Sequence, residues 1–362
     1  MKNTFGNQLT VTLFGESHGN GIGVVIDGLA PGIPVSTDFI NAQLAKRRPA
    51  GKISTARREM DEYTIQSGIF EDHTTGTPVC ITIPNTSQHS KDYSATRSKA
   101  RPGHADYTAY CKYHGFEDYR GGGHFSGRIT AGLVAAGGIL LPALEEKGIR
   151  IATHISRCAG IDDRNIADIK DMNALQDTSF PVLSAEAADK MKAAIEAAAA
   201  EGDSVGGILE TVITGLPAGV GEPWFDTVEG LLSHALFSIP AVKGVSFGDG
   251  FELADLRGSE ANDPFAYRDN QVVTTKNSNG GINGGITNGM PIRILTVIKP
   301  TPSIFKEQQT VDFIKGEDAT LQLQGRHDPC IVHRACVVAD SVCAMVVADL
   351  LAGRFGTDYL GE

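Results

Sequence analysis

The sequence is short of the features that signal metal binding, export or nucleic-acid recognition. Its six cysteines, at 80, 111, 158, 330, 336 and 343, form no CxxC pair and no zinc-ligand spacing, so they read as reduced, mostly buried thiols. No HxxxH or HExxH pattern sets two histidines on one helical face, and no metal site is expected. Basic residues are outnumbered, 32 Lys and Arg against 43 Asp and Glu. The resulting net charge of -11 argues against a general nucleic-acid or anionic-membrane binder, which needs a basic surface to neutralise phosphates. No charged-then-apolar leader opens the chain, so a signal peptide is not expected. The longest largely apolar run, Ile129 to Leu144, is broken by Gly and Pro and falls short of the roughly 20 residues of a bilayer span. A cytoplasmic protein with no membrane partner is expected. Repeats, low-complexity tracts, linkers and a strand-to-helix GxGxxG are also missing, so one domain over residues 1–362 is the simpler reading.

What is present suits a large core: 362 residues, 41% hydrophobic and 21% charged. Leu9 to Leu13 alternates as a half-buried strand, and Val24 to Asp27 is its expected partner across the loop that holds His18. Ser36 or Thr37 caps a helix over 38–48, which Pro49 ends and whose last turn holds Arg47 and Arg48. Strands are expected near 63–70 and 79–83, followed by a polar loop to His104 and a helix over 130–147 whose Ala and Gly would allow close packing on a sheet. Strands at 149–155, 207–213, 242–247 and 292–298 alternate with helices at 185–201, from Thr227 to about 238, and at 332–351.

Three segments concentrate ionisable side chains among turn residues: Gly15-Glu-Ser-His18-Gly19, Arg101-Pro-Gly-His104-Ala-Asp106 and Gly325-Arg-His-Asp328-Pro-Cys330. Imidazoles in such settings can exchange protons near neutral pH, whereas His73, His89, His154 and His234 are expected to be merely packed or solvated. Arg47, Arg48, Arg57, Arg58, Arg101, Arg120, Arg128 and Arg326, most of them beside Gly or Pro, suit a multiply charged anion, because a guanidinium grips carboxylate or phosphate as a fork. Gly122 to Arg128 imitates a P-loop but lacks its lysine and its magnesium-binding hydroxyl. Gly15-Glu-Ser17-His-Gly19 has the letters of a serine-hydrolase elbow, yet a glycine-rich strand, not a helix, is expected after it.

Together these segments resemble the chorismate synthase family. The likeness runs in order through FGESHG (14–19), RRP (47–49), RRE (57–59), SGxFE (67–71), RPGHADYT (101–108), DYRGGG (118–123), GEP (221–223), AVKGV (241–245), GDGF (248–251), KPT (299–301) and GRHDPC (325–330). The resemblance implies an α/β (α+β) fold, a single large β-α-β sandwich with helices between sheets, assembled as a homotetramer. It implies a lyase that makes chorismate from 5-enolpyruvylshikimate 3-phosphate by anti-1,4-elimination of phosphate, using reduced FMN without net redox change. NADPH enters as a candidate external reductant, and an intrinsic NADPH-dependent activity and a separate reductase stay open.

By the same resemblance His18 would act as general acid at the leaving phosphate, His104 would sit near flavin N1, and Asp328 would keep flavin N5 poised for the C6 proton. Arg47, Arg48 and Arg128 would bind substrate. Ser126 and Arg128 match the family's SxR element, while Ala241, Gly284, Lys299, Thr301, Ser303 and Arg326 would hold FMN. The chain departs from the common family pattern at His124, Phe125, Ser278, Pro240 and Pro302, the first two in the flavin-side loop. A flavin-binding protein that no longer catalyses and a serine hydrolase acting through Ser17 are the alternatives from other classes.

Overall fold

A computed structural model of the chain describes residues 2–49, 53–54, 60–86, 97–323 and 328–362. Period-two burial builds its first sheet. Ile22, Val24 and Ile26 point inward from Gly21–Asp27 and face Ile83, Ile81 and Val79 of Val79–Pro84 in antiparallel register. Thr4–Phe5 and Thr10–Gly15 extend this sheet on one side and Thr64–Ser67 on the other. The second sheet runs Val242–Phe247, Ile292–Ile298, Gly207–Thr214, Arg150–Cys158, Ile161–Asp162, also antiparallel throughout.

Between the sheets lie the helices Thr37–Arg47, Thr130–Glu146 and Val332–Phe355. Glycines in the middle one set how closely they stack. A Cβ on Gly137 would come within 2.3 Å of Ser341 Oγ on the closing helix, one on Gly138 within 2.8 Å of Ile40 Cγ1 on the first helix, and one on Gly132 within 3.2 Å of Gly23 O in the first sheet. The small residues therefore serve helix–helix contact at least as much as the expected helix–sheet contact. One buried apolar cluster runs through both sheets and all three helices. The fold is the β-α-β sandwich expected, an α/β arrangement in the broad sense.

Details differ from the sequence reading. The strand expected over 63–70 breaks into Thr64–Ser67 and Ile69–Phe70 at Gly68, whose φ of +85° lies outside the extended region; a Cβ there would also come within 2.7 Å of the Pro78 carbonyl oxygen. The closing helix continues to Phe355, past the expected end at 351. Two helices, Gly127–Glu146 and Val332–Phe355, are in fact long and apolar enough to cross a membrane. With 83% and 89% of their apolar windows buried inside the protein, they are spent on the core.

Candidate active site

Three glycines organise the site. Gly121, Gly122 and Gly123 all adopt positive φ (+61°, +100°, +52°), and each position is closed to a side chain in its own way. A Cβ on Gly121 would stand 2.0 Å from His18 Cε1, and one on Gly123 2.1 Å from the Asp118 carbonyl oxygen. On Gly122 it would touch His104 Cε1 and Nε2 at 3.4 Å. His18 and His104 thus flank adjacent residues of one glycine strip, although 86 positions separate them in sequence. Backbone and side-chain bonds close the loops on each other: Ser17 N–H donates to Gly123 O (3.1 Å), and His124 Nδ1 donates to Gly15 O (2.7 Å).

Each histidine has an orienting partner. His18 Nδ1 lies 3.1 Å from Ser17 Oγ, whose hydroxyl also reaches Arg120 O at 3.3 Å. His104 Nδ1 lies 2.8 Å from Asp106 Oδ1, so that its Cε1–Nε2 edge is the one turned to Gly122. Asp106 in turn accepts from Arg101 Nε (2.8 Å), Nη2 (2.7 Å) and backbone N–H (2.9 Å). Burial by itself would raise the Asp106 carboxyl, but hydrogen bonds from Arg101 and His104 outweigh it and hold the group well below the usual carboxylate range. An anionic Asp106 fixes the orientation of the His104 ring.

His104, Ser126, Ala241, Lys299, Thr301, Ser303 and Asp328 share the lining of one cavity of about 860 Å³ with Arg47, Arg48 and Arg128. Small-molecule sites span roughly 300–1,000 Å³, and this one lies towards the upper end of that range. Its described lining carries eight Lys or Arg side chains against two Asp, a local excess of positive charge in a protein of net charge -11. His18 is not itself among the lining residues, but Gly121, which is, lies directly against its ring. Gly284 is not part of the lining; with Gly285 it makes the turn between the short strands Ile282–Asn283 and Ile286–Thr287. Arg326, Arg57, Arg58 and His89 lie outside the described residues.

The polar atoms lining the cavity divide into paired and unpaired ones. Arg47 Nη2 grips both oxygens of the buried Asp61 (3.1 and 2.9 Å), and Arg128 Nη1 binds the same carboxylate. Arg128 also donates to Asn85 Oδ1 and Pro84 O, each at 3.1 Å. Burial pushes the Arg47 guanidinium below its ordinary value against the pull of Asp61. By contrast, Arg47 Nε, Arg48 Nε and Thr301 Oγ1 are buried with no hydrogen-bond partner among the described residues. Buried donors are costly to leave unpaired, and all three residues line the cavity, where a bound anion could supply the missing oxygens. Sequence reasoning missed Asp61 as the anchor of two arginines 14 positions before and 67 after it, a link with no local signal. It also assigned no role to Asp106, although the spacing His-Ala-Asp could have suggested one.

The hydrolase alternative finds little support in this geometry. Ser17 is buried and the strand Gly21–Asp27, with no helix between, follows its loop, whereas an elbow needs an exposed hydroxyl at the head of a helix.

Comparison with known proteins agrees with the family resemblance. The family described as chorismate synthase matches residues 9–352. A chorismate synthase of Dehalococcoides mccartyi is 47% identical over 353 residues, covering 97% of this chain and 96% of the relative. One from Pyrococcus abyssi is 48% identical over 349 residues, covering 96% and 97%. A chorismate synthase crystal structure superimposes with a TM-score of 0.77 at 26% identity, covering 98% of this chain and 94% of that one. With the family matched over nearly the whole length, and with its motif histidines gathered on one glycine strip, the chain belongs to the chorismate synthase family.

Proposed function

We propose that this protein converts 5-enolpyruvylshikimate 3-phosphate to chorismate by anti-1,4-elimination of phosphate, as a carbon-oxygen lyase dependent on reduced FMN. One observation carries the reading: a roomy cavity, rich in cations, whose lining includes His104 and Asp328 and whose glycine strip backs onto His18. A substrate with one phosphate and two carboxylates, beside a flavin with its own phosphate, matches that charge.

Residues here fit a flavin as well as a substrate. Thr301 Oγ1, which has no partner among the described residues, lines the cavity with Lys299, Ser303, Ala241 and Ser126 and offers a polar wall for FMN. When bound, reduced FMN supplies electron density that eases carbon-oxygen cleavage without being consumed. The chain's own residues do the rest. Arg48, with its unpaired Nε, and Arg47, held by Asp61, grip the substrate's anionic groups, with Arg128 pinned to the same aspartate. His18 delivers a proton to the departing phosphate. His104, its ring fixed by Asp106, would border the flavin, and Asp328 would keep the flavin ready to take the proton lost from substrate C6.

The continuous buried cluster across both sheets supports one domain over 1–362. We read the working form as a homotetramer in the cytoplasm, with NADPH as a candidate source of reducing equivalents.

Purified protein given reduced FMN and substrate without oxygen is expected to release inorganic phosphate and form chorismate. Normal flavin binding without phosphate release would favour a non-catalytic flavoprotein, and covalent labelling of Ser17 by a fluorophosphonate would favour a hydrolase.

A further inference from the structure

We propose that Arg334 is a positioning residue that locks Asp328 to the anion-gripping end of the first helix. Resting on the proposed function, this assigns a part to a side chain that no motif singled out. Arg334 stands in the first turn of Val332–Phe355, the buried helix that gives it a rigid base. Its Nη1 donates to Asp328 Oδ2 at 2.6 Å, and its Nε donates to the Arg47 carbonyl at 2.6 Å. The first helix ends at Arg47, where carbonyls lose their intrahelical partners, so this second bond caps a helix end. A single planar fork therefore ties the loop bearing Asp328 to the backbone that carries Arg47 and Arg48.

Chemistry explains why such a tie is needed. A loose carboxylate in a cavity lined by eight Lys and Arg side chains would pair with one of those meant for the substrate. Holding Asp328 on Arg334 keeps it off them, with both side chains largely shielded at 16% and 17% exposure. Lysine offers the same charge as a point donor and cannot reach both partners in the forked geometry.

The test uses Arg334→Gln, Arg334→Lys, Asp328→Asn and the double variant Arg334→Gln/Asp328→Asn, each assayed anaerobically for phosphate release. Wild-type release is measured alongside; its failure would count against the proposed function, whereas the inference stands or falls on the variants. Arg334→Gln is expected to lower the turnover number by about 30-fold or more with KM changed less than about threefold, the pattern of a displaced reacting group. Arg334→Lys should fall between it and the wild type. In the Asp328→Asn background, Arg334→Gln should cost less than about threefold more, because the two act as a unit. Ligand-free melting provides a readout apart from activity: Arg334→Gln should lower Tm more with Asp328 present than with Asn there. Wild-type turnover in either Arg334 variant, a change confined to KM, full multiplication of the single effects, or equal Tm losses in both backgrounds would each overturn the proposal. Should Arg334→Gln not fold, Arg334→Lys decides.

Discussion

Among the described residues, a buried ionic cluster stands in each half of the sandwich. In the second sheet His154 sits between two carboxylates, with Nε2 2.7 Å from Glu210 Oε2 and Nδ1 3.2 Å from Asp163 Oδ2. Glu210 also accepts from Ile166 N–H and Arg293 Nε, and Asp163 from the Leu183 and Ser184 N–H groups. None of these side chains leaves a buried polar atom unpaired. At the first sheet, Arg47, Asp61 and Arg128 are as deeply buried, yet Arg47 Nε and the neighbouring Arg48 Nε have no described partner, and the cluster borders the cavity. The cluster around His154 is satisfied within the fold, whereas the one around Asp61 has donors without described partners and borders the cavity, where a ligand could complete it.

The largest expected effect breaks that contrast on the structural side. Glu210→Ala leaves His154 and Arg293 facing a buried void, and loss of one partner from a buried ionic network costs about 3–5 kcal/mol. Chemical denaturation should show that loss, while turnover per folded molecule stays near wild type because Glu210 does not line the cavity. A stable variant, or a folded one with little activity, would erase the distinction. pH enters with a definite sign. Burial would raise the Glu210 carboxyl, but hydrogen bonds from His154, Ile166 and Arg293 prevail and lower it. Its contribution to stability is therefore present above the ordinary glutamate range and lost as pH falls through the folded value.

On the functional side the ordering reverses. His104→Ala should leave melting near wild type and slow turnover by about a hundredfold or more, about 2.7 kcal/mol in the barrier. Turnover unchanged by that substitution would remove His104 from the mechanism. Gly121→Ala sharpens the point without touching an ionisable group. Its methyl would stand 2.0 Å from His18 Cε1, so the ring has to move. Displacement of that size should cost about tenfold in turnover, with FMN affinity affected less. Equal losses of both would mean the strip supports the cavity as a whole and not His18 in particular.

Much of this was legible in the chain. Val242–Phe247 and Ile292–Ile298 fall where period-two patterning puts them, and Ser36 caps the first helix as expected, accepting from Phe39 N–H. Ile292–Ile298 and the first helix bury one face, and burial is what periodicity reports, whereas Val242–Phe247 buries only Val242. The hairpin Phe265–Arg268 with Gln271–Thr274 escaped notice because Phe265, Tyr267 and Val272 are exposed, so its apolar letters do not mark a core. Only its turn, Asp269-Asn270 at φ +50° and +62°, carried a local signal. The site shows the same limit. His18 and His104 announce themselves because glycine must surround them, whereas Asp61 and Arg334 act through partners that only folding brings near. Arg334 is further hidden in the opening turn of a helix whose apolar letters dominate any reading of it.

A smaller effect sets the helical layer between the two clusters apart from both. Asp340, on the closing helix, has burial pushing its carboxyl up to about 7, opposed by a hydrogen bond from Thr153 and the charge of Lys46, and its Oδ1 has no described partner. Since the folded state holds this proton more tightly than the unfolded chain, stability falls as pH rises from about 4 towards 7, opposite in sign to Glu210. Part of the Asp340 surface still meets solvent, which screens the charge and limits the loss to about 1–2 kcal/mol. Asp340→Asn should flatten the melting profile over that window and leave the acid limb from Glu210 in place. A profile that keeps its decline towards neutral pH in the variant would mean that some other group, and not this half-paired acid, sets it.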